Sequence, residues 1–386
     1  MMKFSQIWRT VTRHSNVILV ISVLLLGVMY IYNTHTTQDD TDMGPKLSEK
    51  NSKGDACILS PRVSKSVRGS EGIHRLDDKG TMTPMELLKH METIKQHGIS
   101  KEYEAVSTEM PSGSFSYSRN SNNLSKNRYS NVPCFDHSRV KLETSHDLSS
   151  DYINANYVDG FMQKHAFIAA QGPLPNTVND FWKMIWQENV FVIVMTTQTE
   201  ERGLTKCSQY WPTAPHLTLK FGDFTIDNLK VDIKNDYTVT TLLVNNSKIG
   251  MCRNVAHFHF TGWPDFGVPT SAATILQFRD EIRQNQREAV ASMGSYWTGH
   301  PGGPPILVHC SAGIGRTGTF CAIDISLSRL EATQKLNIYD TVRKMRRQRA
   351  FSIQTPEQYE FCHFAVLERL QQQGKIPTVD WSKYRN

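Results

Sequence analysis

The chain has 386 residues, of which 39% are hydrophobic and 21% charged, and its formal net charge is +6. This composition is typical of a globular protein that buries a sizeable core. The mild positive charge suits an anionic substrate or an acidic membrane surface, and no nucleic-acid-binding motif accompanies it. The seven cysteines are widely spaced without a CxxC pair, which excludes a zinc ribbon and a thioredoxin-type redox centre.

The N-terminal region carries an apolar run over residues 17–32, and Lys3, Arg9 and Arg13 lie in the basic segment 1–16 before it. A helix of that length spans roughly 24 Å, against a hydrocarbon core of about 30 Å. The run therefore predicts a membrane-anchor helix or a long signal-peptide core. Because no small-x-small cleavage site follows, we favour an uncleaved anchor, with a buried helix of a soluble domain as a third interpretation.

The rest of the chain divides by composition into a linker, one domain and a tail. Residues 33–82 are polar without a sustained apolar period, which predicts a flexible linker. Residues 83–372 have the pattern of one mixed α/β (α+β) domain, whose first helix begins at Pro84, and residues 373–386 form a tail. The predicted strands are Ala166–Ala170, Val190–Thr196, Leu217–Phe221, Ala256–Phe260 and Pro305–Val308. The predicted helices are Thr177–Gln187, Ala272–Asn285, Arg316–Leu330, Tyr339–Gln348 and Pro356–Gln371.

A short apolar strand, Ile306–Val308, runs into His309 and Cys310, a loop with two glycines, Arg316 and then a helix. A strand, a tight loop and a helix N-terminus in series make an anion site, because successive backbone N–H groups and the helix dipole point at it. Arg316 adds a planar fork of donors for two phosphate oxygens. The same positive field favours the thiolate form of Cys310, which would attack phosphorus in line and form a phosphocysteine.

The segment His309–Gly318, HCSAGIGRTG, resembles the signature loop of the protein-tyrosine phosphatase family. The resemblance implies a highly twisted mixed sheet flanked by helices, and hydrolysis of phosphotyrosine in proteins without a metal or a cofactor. It implies that Cys310 is the nucleophile, that Thr317 helps the thiolate to depart and that His309 tunes the loop. The residues implied to bind the phosphate are Cys310, Ser311, Ala312, Gly313, Ile314, Gly315 and Arg316.

Two further segments resemble the parts of this family that move protons and water. The segment Trp263–Pro269, WPDFGVP, resembles the mobile acid loop, with Asp265 contacting the substrate as general acid and then acting as general base. The segment Gln354–Gln358, QTPEQ, resembles the glutamine loop. Gln354 would bind the substrate and orient the attacking water, and Gln358 would assist it.

The segment Lys126–Pro133, KNRYSNVP, resembles the phosphotyrosine recognition loop, in which Tyr129 would stack on the substrate ring. A pocket of that depth would leave the phosphorus of a short phosphoserine above Cys310, which favours phosphotyrosine. Glu201 is the candidate for the carboxylate that holds Arg316. The segments that resemble structural motifs of the family are Asp151–Asn156 and Gln171–Leu174.

Three stretches are most similar to the non-receptor type nine, or megakaryocyte, phosphatases: KNRYSNVPCFD, TFCAIDISLSRLE and QRAFSIQTPEQYEFC. The resemblance covers residues 84–372, about three quarters of the chain. That subfamily carries an N-terminal lipid-binding domain of the Sec-fourteen type, where this sequence has an apolar run and a linker. No lipid or vesicle role of that domain is therefore carried over.

The partners that follow are phosphotyrosine-containing proteins and, through residues 17–32, a lipid bilayer. The basic residues before the apolar run would place the catalytic domain in the lumen by the positive-inside rule. An easily oxidised thiolate and the cytosolic location of most phosphotyrosine proteins favour the cytoplasmic side, which we predict. Asn123-Leu124-Ser125 and Asn245-Asn246-Ser247 are glycosylation sequons that only a lumenal domain would use.

Two other functions remain open from the sequence. A catalytically inactive phosphotyrosine-binding adaptor usually lacks the cysteine, the acid or the arginine, and all three are present. A membrane lipid phosphatase is suggested by the predicted anchor and by a basic run on a predicted helix, although the recognition loop favours tyrosine. We interpret the run chiefly as a solvated helix face. It consists of Arg343, Lys344, Arg346, Arg347 and Arg349.

Overall fold

The computed structural model describes residues 79–144, 150–264 and 267–380. The basic segment 1–16, the predicted anchor at 17–32 and nearly all of the predicted linker lie outside these residues, as does Asp265. Among the residues that are described, no helix is both long and apolar enough to cross a membrane.

The described residues alternate between helices and strands along the chain. The helices are α1 Pro84–Ser107, α2 Ser116–Arg119, α3 Val178–Gln187, α4 Ala273–Met293, α5 Gly315–Thr333, α6 Ile338–Gln348 and α7 Pro356–Gln372, with 3-10 turns at Ser121–Lys126 and Gly294–Tyr296. The strands are β1 Arg139–Lys141, β2 Tyr152–Val158, β3 Phe167–Ala170, β4 Val192–Met195, β5 Glu200–Glu201, β6 Leu204–Thr205, β7 Thr218–Phe221, β8 Phe224–Ile233, β9 Tyr237–Asn246, β10 Met251–Phe260 and β11 Ile306–His309.

Nine strands form one mixed sheet in the order β1-β2-β3-β11-β4-β10-β9-β8-β7, and β5 and β6 form a separate hairpin. The four central strands β3, β11, β4 and β10 run parallel, and antiparallel strands flank them. In this register His309 pairs with Ala170 on one side and with Met195 on the other. Cys310 therefore follows the carboxyl end of a central parallel strand, the edge at which open α/β sheets bind ligands.

Apolar cores lie on both faces of the sheet because helices cover both faces. Along β4, Val192 and Val194 belong to the core beneath α1, α4, α5, α6 and α7, while Ile193 and Met195 belong to the core beneath α3. This explains why the central strands are continuous apolar runs instead of alternating ones. The mixed α/β fold with helices on both sides of a mixed sheet confirms the predicted fold class.

The predicted helices and the five predicted strands are all present, but the structure has further strands. The antiparallel strands β8 and β9 were not predicted, since polar residues occupy inward positions on both of them. Asn228 on β8 and Thr240 on β9 are almost fully buried. Asn228 meets its hydrogen-bonding need by donating to the carbonyl of Pro212 at 2.8 Å. Buried polar residues of this kind interrupt the alternation of apolar and polar residues by which a strand is recognised in a sequence.

Candidate active site

The loop from Cys310 to Ile314 joins β11 to α5, and its carbonyl groups are held from outside. Gly172 N–H donates to Ser311 O at 2.9 Å, Arg349 to Ala312 O at 3.0 Å and to Gly313 O at 3.1 Å, and Ile353 N–H to Ile314 O at 3.0 Å. In a trans peptide the C=O and the following N–H point in opposite directions. The N–H groups of the loop therefore face its interior, as an anion-binding cradle requires.

Gly313 is the residue that lets this loop close. Its φ of +71° lies in the left-handed region, and an added Cβ would lie 2.1 Å from the carbonyl oxygen of Ala170. A side chain is thus excluded both by conformation and by space. The N–H of Gly313 donates to Cys310 Sγ at 3.2 Å.

Helix α5 directs its N-terminus at the same point. It begins at Gly315 and runs for 19 residues, and the side chain of its N-cap residue, Ile314, is a hydrocarbon that cannot cap the helix. The first amides of α5 are therefore available to an anion in the loop. Cys310, with 5% of its surface exposed, lies at the base of this site.

Arg316 projects from the first turn of α5 and is held by Glu201 of the β5–β6 hairpin. Arg316 Nη1 donates to Glu201 Oε1 at 2.5 Å and Nη2 donates to Oε2 at 3.1 Å. Burial alone would raise the pKa of Glu201, but the hydrogen bonds and charge of Arg316 lower it below its usual value. Glu201 stays ionised, and its fork-to-fork contact fixes the plane of the guanidinium.

The described part of the predicted acid loop lies beside Arg316. Trp263 is buried, packs its ring against Phe361, and donates from Nε1 to Gly267 O at 3.2 Å. Arg316 Nη2 lies 3.4 Å from the carbonyl oxygen of Pro264. Asp265 lies outside the described residues, but its chain neighbour Pro264 contacts Arg316, which follows the loop Cys310–Ile314, here called the phosphate loop.

The predicted glutamine loop lies against the start of α5. A Cβ added to Gly315 would lie 3.0 Å from Gln358 Nε2 and 3.2 Å from Gln354 Oε1. Gln354 is exposed and Gln358 is buried, and the N–H of Gln354 donates to Gln358 Oε1 at 2.9 Å. The structure therefore brings both glutamines to the phosphate loop.

Tyr129 stands at the edge of the site. Its hydroxyl lies 2.9 Å from Ser311 Oγ, which in turn donates to the carbonyl of Lys206 at 2.9 Å. Because the serine proton is used, the Tyr129 hydroxyl is the donor of the first bond. The neighbouring Arg128 donates to the carbonyls of Gly172 and Pro173, so this segment is anchored beside the phosphate loop.

His309 lies beneath the loop and is fully buried. Its Nε2 lies 2.7 Å from the hydroxyl of Tyr210, and its Nδ1 lies 3.2 Å from Cys310 O. Burial lowers the pKa of His309 to about 3, so the ring is neutral at physiological pH. A neutral ring cannot supply a proton near pH 7. Thr317 is fully buried, and within the described residues its hydroxyl has no hydrogen-bond partner.

The sequence interpretation of the basic run is wrong for Arg349. The side chain of Arg349 is fully buried and does not lie on the solvated face of the helix. Besides the loop carbonyls, Arg349 Nη1 donates to Asn154 Oδ1 at 2.7 Å and to Asn156 Oδ1 at 2.9 Å. The segment Asp151–Asn156, considered only structural, thus holds the arginine that holds the phosphate loop. The one sequence signal was that Asn154 and Asn156 alternate on an otherwise apolar strand.

The exposed members of the run pair with nearby carboxylates. Arg343 Nε and Arg347 Nη2 contact the two oxygens of Glu109 at 2.6 and 2.9 Å, and Lys344 Nζ contacts Asp340 at 2.7 Å. Exposed pairs of this kind contribute little stability. They do, however, reduce the positive field that this helix offers to an acidic lipid headgroup.

Comparison with known proteins agrees with this geometry. The family model described as protein-tyrosine phosphatase matches residues 123–368, more than half of the chain. The chain belongs to the protein-tyrosine phosphatase family. The match includes the recognition loop, the acid loop, the phosphate loop and the glutamine loop of this phosphatase domain.

Individual relatives support the predicted resemblance to the type nine phosphatases. Tyrosine-protein phosphatase non-receptor type 9 of Rattus norvegicus is 50% identical over 298 residues, which cover 77% of this chain and 50% of the relative. The protein of the same name from Homo sapiens is 50% identical over 296 residues, with coverages of 76% and 50%. Receptor-type tyrosine-protein phosphatase eta of Homo sapiens is 38% identical over 284 residues, 73% of this chain and 20% of the relative. The chain spans about half the length of the type 9 relatives.

Proposed function

We propose that this chain hydrolyses phosphotyrosine in proteins through a phosphocysteine on Cys310. The observation that carries the proposal is the phosphate loop, whose amides face inward above Cys310 while Glu201 fixes Arg316 beside it. This arrangement stabilises the equatorial oxygens of a phosphoryl group in transfer. Substrate proteins are therefore those that can insert a phosphotyrosine ring beside Tyr129.

In the first step, the Cys310 thiolate attacks phosphorus opposite the tyrosyl oxygen. The S–P bond forms, the P–O bond to the tyrosine breaks, and Asp265 donates a proton to the leaving phenolate. Arg316 and the loop amides bind the three equatorial oxygens throughout. Tyr129 packs beside the substrate ring and sets the depth at which the phosphate meets the sulfur.

In the second step, water held by Gln354 attacks the phosphorus of phosphocysteine. Asp265, now ionised, accepts a proton from this water, and the P–S bond breaks to release phosphate. Gln358 supports the position of Gln354 through their hydrogen bond. Thr317, whose buried hydroxyl has no partner among the described residues, donates a hydrogen bond to the departing thiolate.

The proposal is tested by turnover of a phosphotyrosine peptide with a chelator present. The wild-type chain should release phosphate, and Cys310→Ser should release none while keeping the wild-type melting temperature. Asp265→Ala should turn over slowly yet retain the substrate. A wild type that cleaves no aryl phosphate would exclude the enzyme and leave the phosphotyrosine-binding adaptor.

The lipid phosphatase is the weaker alternative, because the basic helix is partly neutralised by Glu109 and Asp340. A side-by-side assay on a phosphotyrosine peptide and a phosphoinositide separates the two functions. A clear preference for the phosphoinositide would reverse our assignment of the substrate.

The proposal includes anchorage of the chain to a membrane by residues 17–32, with the phosphatase domain in the cytoplasm. Two glycosylation sequons provide evidence on which side of the membrane the phosphatase domain lies. Asn123 is 5% exposed, donates from Nδ2 to Tyr117 O at 2.9 Å, and accepts from Ser150 Oγ at 2.7 Å. A glycan on Nδ2 would break this arrangement. Asn245 Nδ2 likewise donates to Asp227 at 2.8 Å.

The location is tested by fractionation and glycosidase treatment of the chain expressed in cells. We expect the chain to sediment with membranes, to lose this association when residues 1–32 are deleted, and to keep its mobility after glycosidase. A glycosidase-sensitive shift would place the domain in the lumen instead.

A further inference from the structure

Helix α1 contacts the segment that carries Gln354 at two adjacent residues. Tyr103 Oη donates a hydrogen bond to the carbonyl of Ile353 at 3.1 Å. Glu102 accepts a hydrogen bond from the hydroxyl of Tyr359, in the first turn of α7. The glutamine loop, residues 354–358, therefore has a contact with α1 immediately before it and another immediately after it.

Ile353 has a backbone conformation that a β-branched residue rarely adopts. Its φ of +61° is in the left-handed region, which persists only where the surroundings impose it. Its N–H donates to Ile314 O at 3.0 Å, and its carbonyl also accepts from Arg346 Nη1 at 3.3 Å. Contacts from the phosphate loop, α6 and α1 thus fix one residue.

The carbonyl that Tyr103 binds belongs to the same peptide unit as the N–H of Gln354. That N–H donates to Gln358 Oε1 at 2.9 Å. Because a peptide unit is rigid and planar, rotating the carbonyl away from Tyr103 would also turn the N–H away from Gln358. One hydrogen bond from α1 therefore bears on the positions of both glutamines.

We propose that Tyr103 is a positioning residue for the hydrolysis of phosphocysteine. The inference rests on the proposed function, in which Gln354 orients the attacking water. The groups of the first step are held by contacts that do not involve the Ile353 carbonyl. Glu201 holds Arg316, and the phosphate loop is held by Arg349, by Gly172 and by the Ile353 N–H, which belongs to the preceding peptide unit. The loss of the Tyr103 hydroxyl should therefore slow the second step and leave phosphoryl transfer to Cys310 unchanged.

The test is stopped-flow turnover of p-nitrophenyl phosphate by the full chain and its Tyr103→Phe variant. The variant keeps the ring, which packs against Tyr359 with centroids 5.8 Å apart. Loss of one net hydrogen bond predicts a steady-state rate about fivefold lower. The first p-nitrophenolate should be released at the wild-type rate, as a burst that approaches one equivalent per enzyme. In added glycerol, the share of phosphoryl transferred to glycerol instead of water should rise.

Two variants complete the experiment. Tyr296→Phe, at an exposed tyrosine in the turn after α4, should behave as wild type. Arg346→Gln removes the second donor to the Ile353 carbonyl together with the bonds of Arg346 to the carbonyls of Ser352 and Ser107, so it should slow the second step at least as much as Tyr103→Phe does. Equal slowing of both steps in Tyr103→Phe, or no change in the burst and in the glycerol share, would overturn the role of Tyr103. A wild type that releases no p-nitrophenolate would instead overturn the proposed function.

Discussion

Glu201 holds Arg316 through two hydrogen bonds, of 2.5 and 3.1 Å, whereas the other contacts of this guanidinium, with the carbonyls of Thr196 and Pro264, are longer, at 3.3 and 3.4 Å. Glu201→Gln keeps the size of the side chain but removes the charge and the matched fork. We expect kcat/KM for a phosphotyrosine peptide to fall about 10- to 100-fold, because misplacement of a positioned group by about 1 Å costs on that order. Steady-state kinetics measure this, with Glu200→Gln as the matched control on the same strand. Equal activity of the two variants would show that Glu201 does not position Arg316.

At the scale of elements, Arg349 joins the end of α6 to β2 and to the phosphate loop. Its four acceptors are the side-chain oxygens of Asn154 and Asn156 and the carbonyls of Ala312 and Gly313. Arg349→Met would leave these buried acceptors unpaired. We expect the free energy of unfolding to fall by about 3 kcal/mol or more, and phosphatase activity to be lost with it.

Arg347 gives the matched control for this element, since it lies at the end of the same helix with 49% of its side chain exposed. Arg347→Met should change the free energy of unfolding by less than about 1 kcal/mol. Urea denaturation of both variants measures the difference. Similar stability and activity of the two variants would contradict the structural role given to Arg349.

At the scale of the whole molecule, buried neutral histidines make stability depend on pH. Burial lowers the pKa of His309 to about 3 and holds the pKa of His257 and His363 below the usual 6.5. At a pH between the lowered pKa of each folded histidine and the ordinary value of about 6.5, the unfolded chain binds protons that the folded chain does not. Stability should therefore decline as pH falls below about 6.5, by up to about 1.4 kcal/mol per pH unit for each histidine.

Asp324 adds to this decline, but only at lower pH. Burial would raise its pKa, but Arg283 and Arg279 lower it to about 2, so its stabilising charge is lost only below its ordinary value of 3.8. Urea midpoints from pH 8 to pH 4.5 measure the decline, and His363→Gln should make it shallower, because His257 and His309 remain. A constant midpoint over this range would contradict the assignment of neutral buried histidines.

The sequence could predict the fold class and the reacting groups because their signals are local. The strand, the glycine loop and Arg316 are contiguous with Cys310. The residues that hold the phosphate loop and the glutamine loop in place could not be predicted, because they are distant from these loops in the sequence. Arg349 bonds Asn154, 195 positions away, and Tyr103 bonds Ile353, 250 positions away. Neither the basic run that contains Arg349 nor the pattern of helix α1, which contains Tyr103, indicates in the sequence which distant residues these side chains contact.

The central claim is that a covalent phosphocysteine forms on Cys310. Gln354→Ala should make this intermediate accumulate, because the variant lacks the side chain that holds the attacking water in the second step. The direct measurement is mass spectrometry of this variant, quenched rapidly during turnover of a phosphotyrosine peptide. We predict one phosphoryl group attached to Cys310 and none in the Gln354→Ala chain that also carries Cys310→Ser. Turnover of the peptide without an adduct, or with the adduct on another residue, would contradict the mechanism.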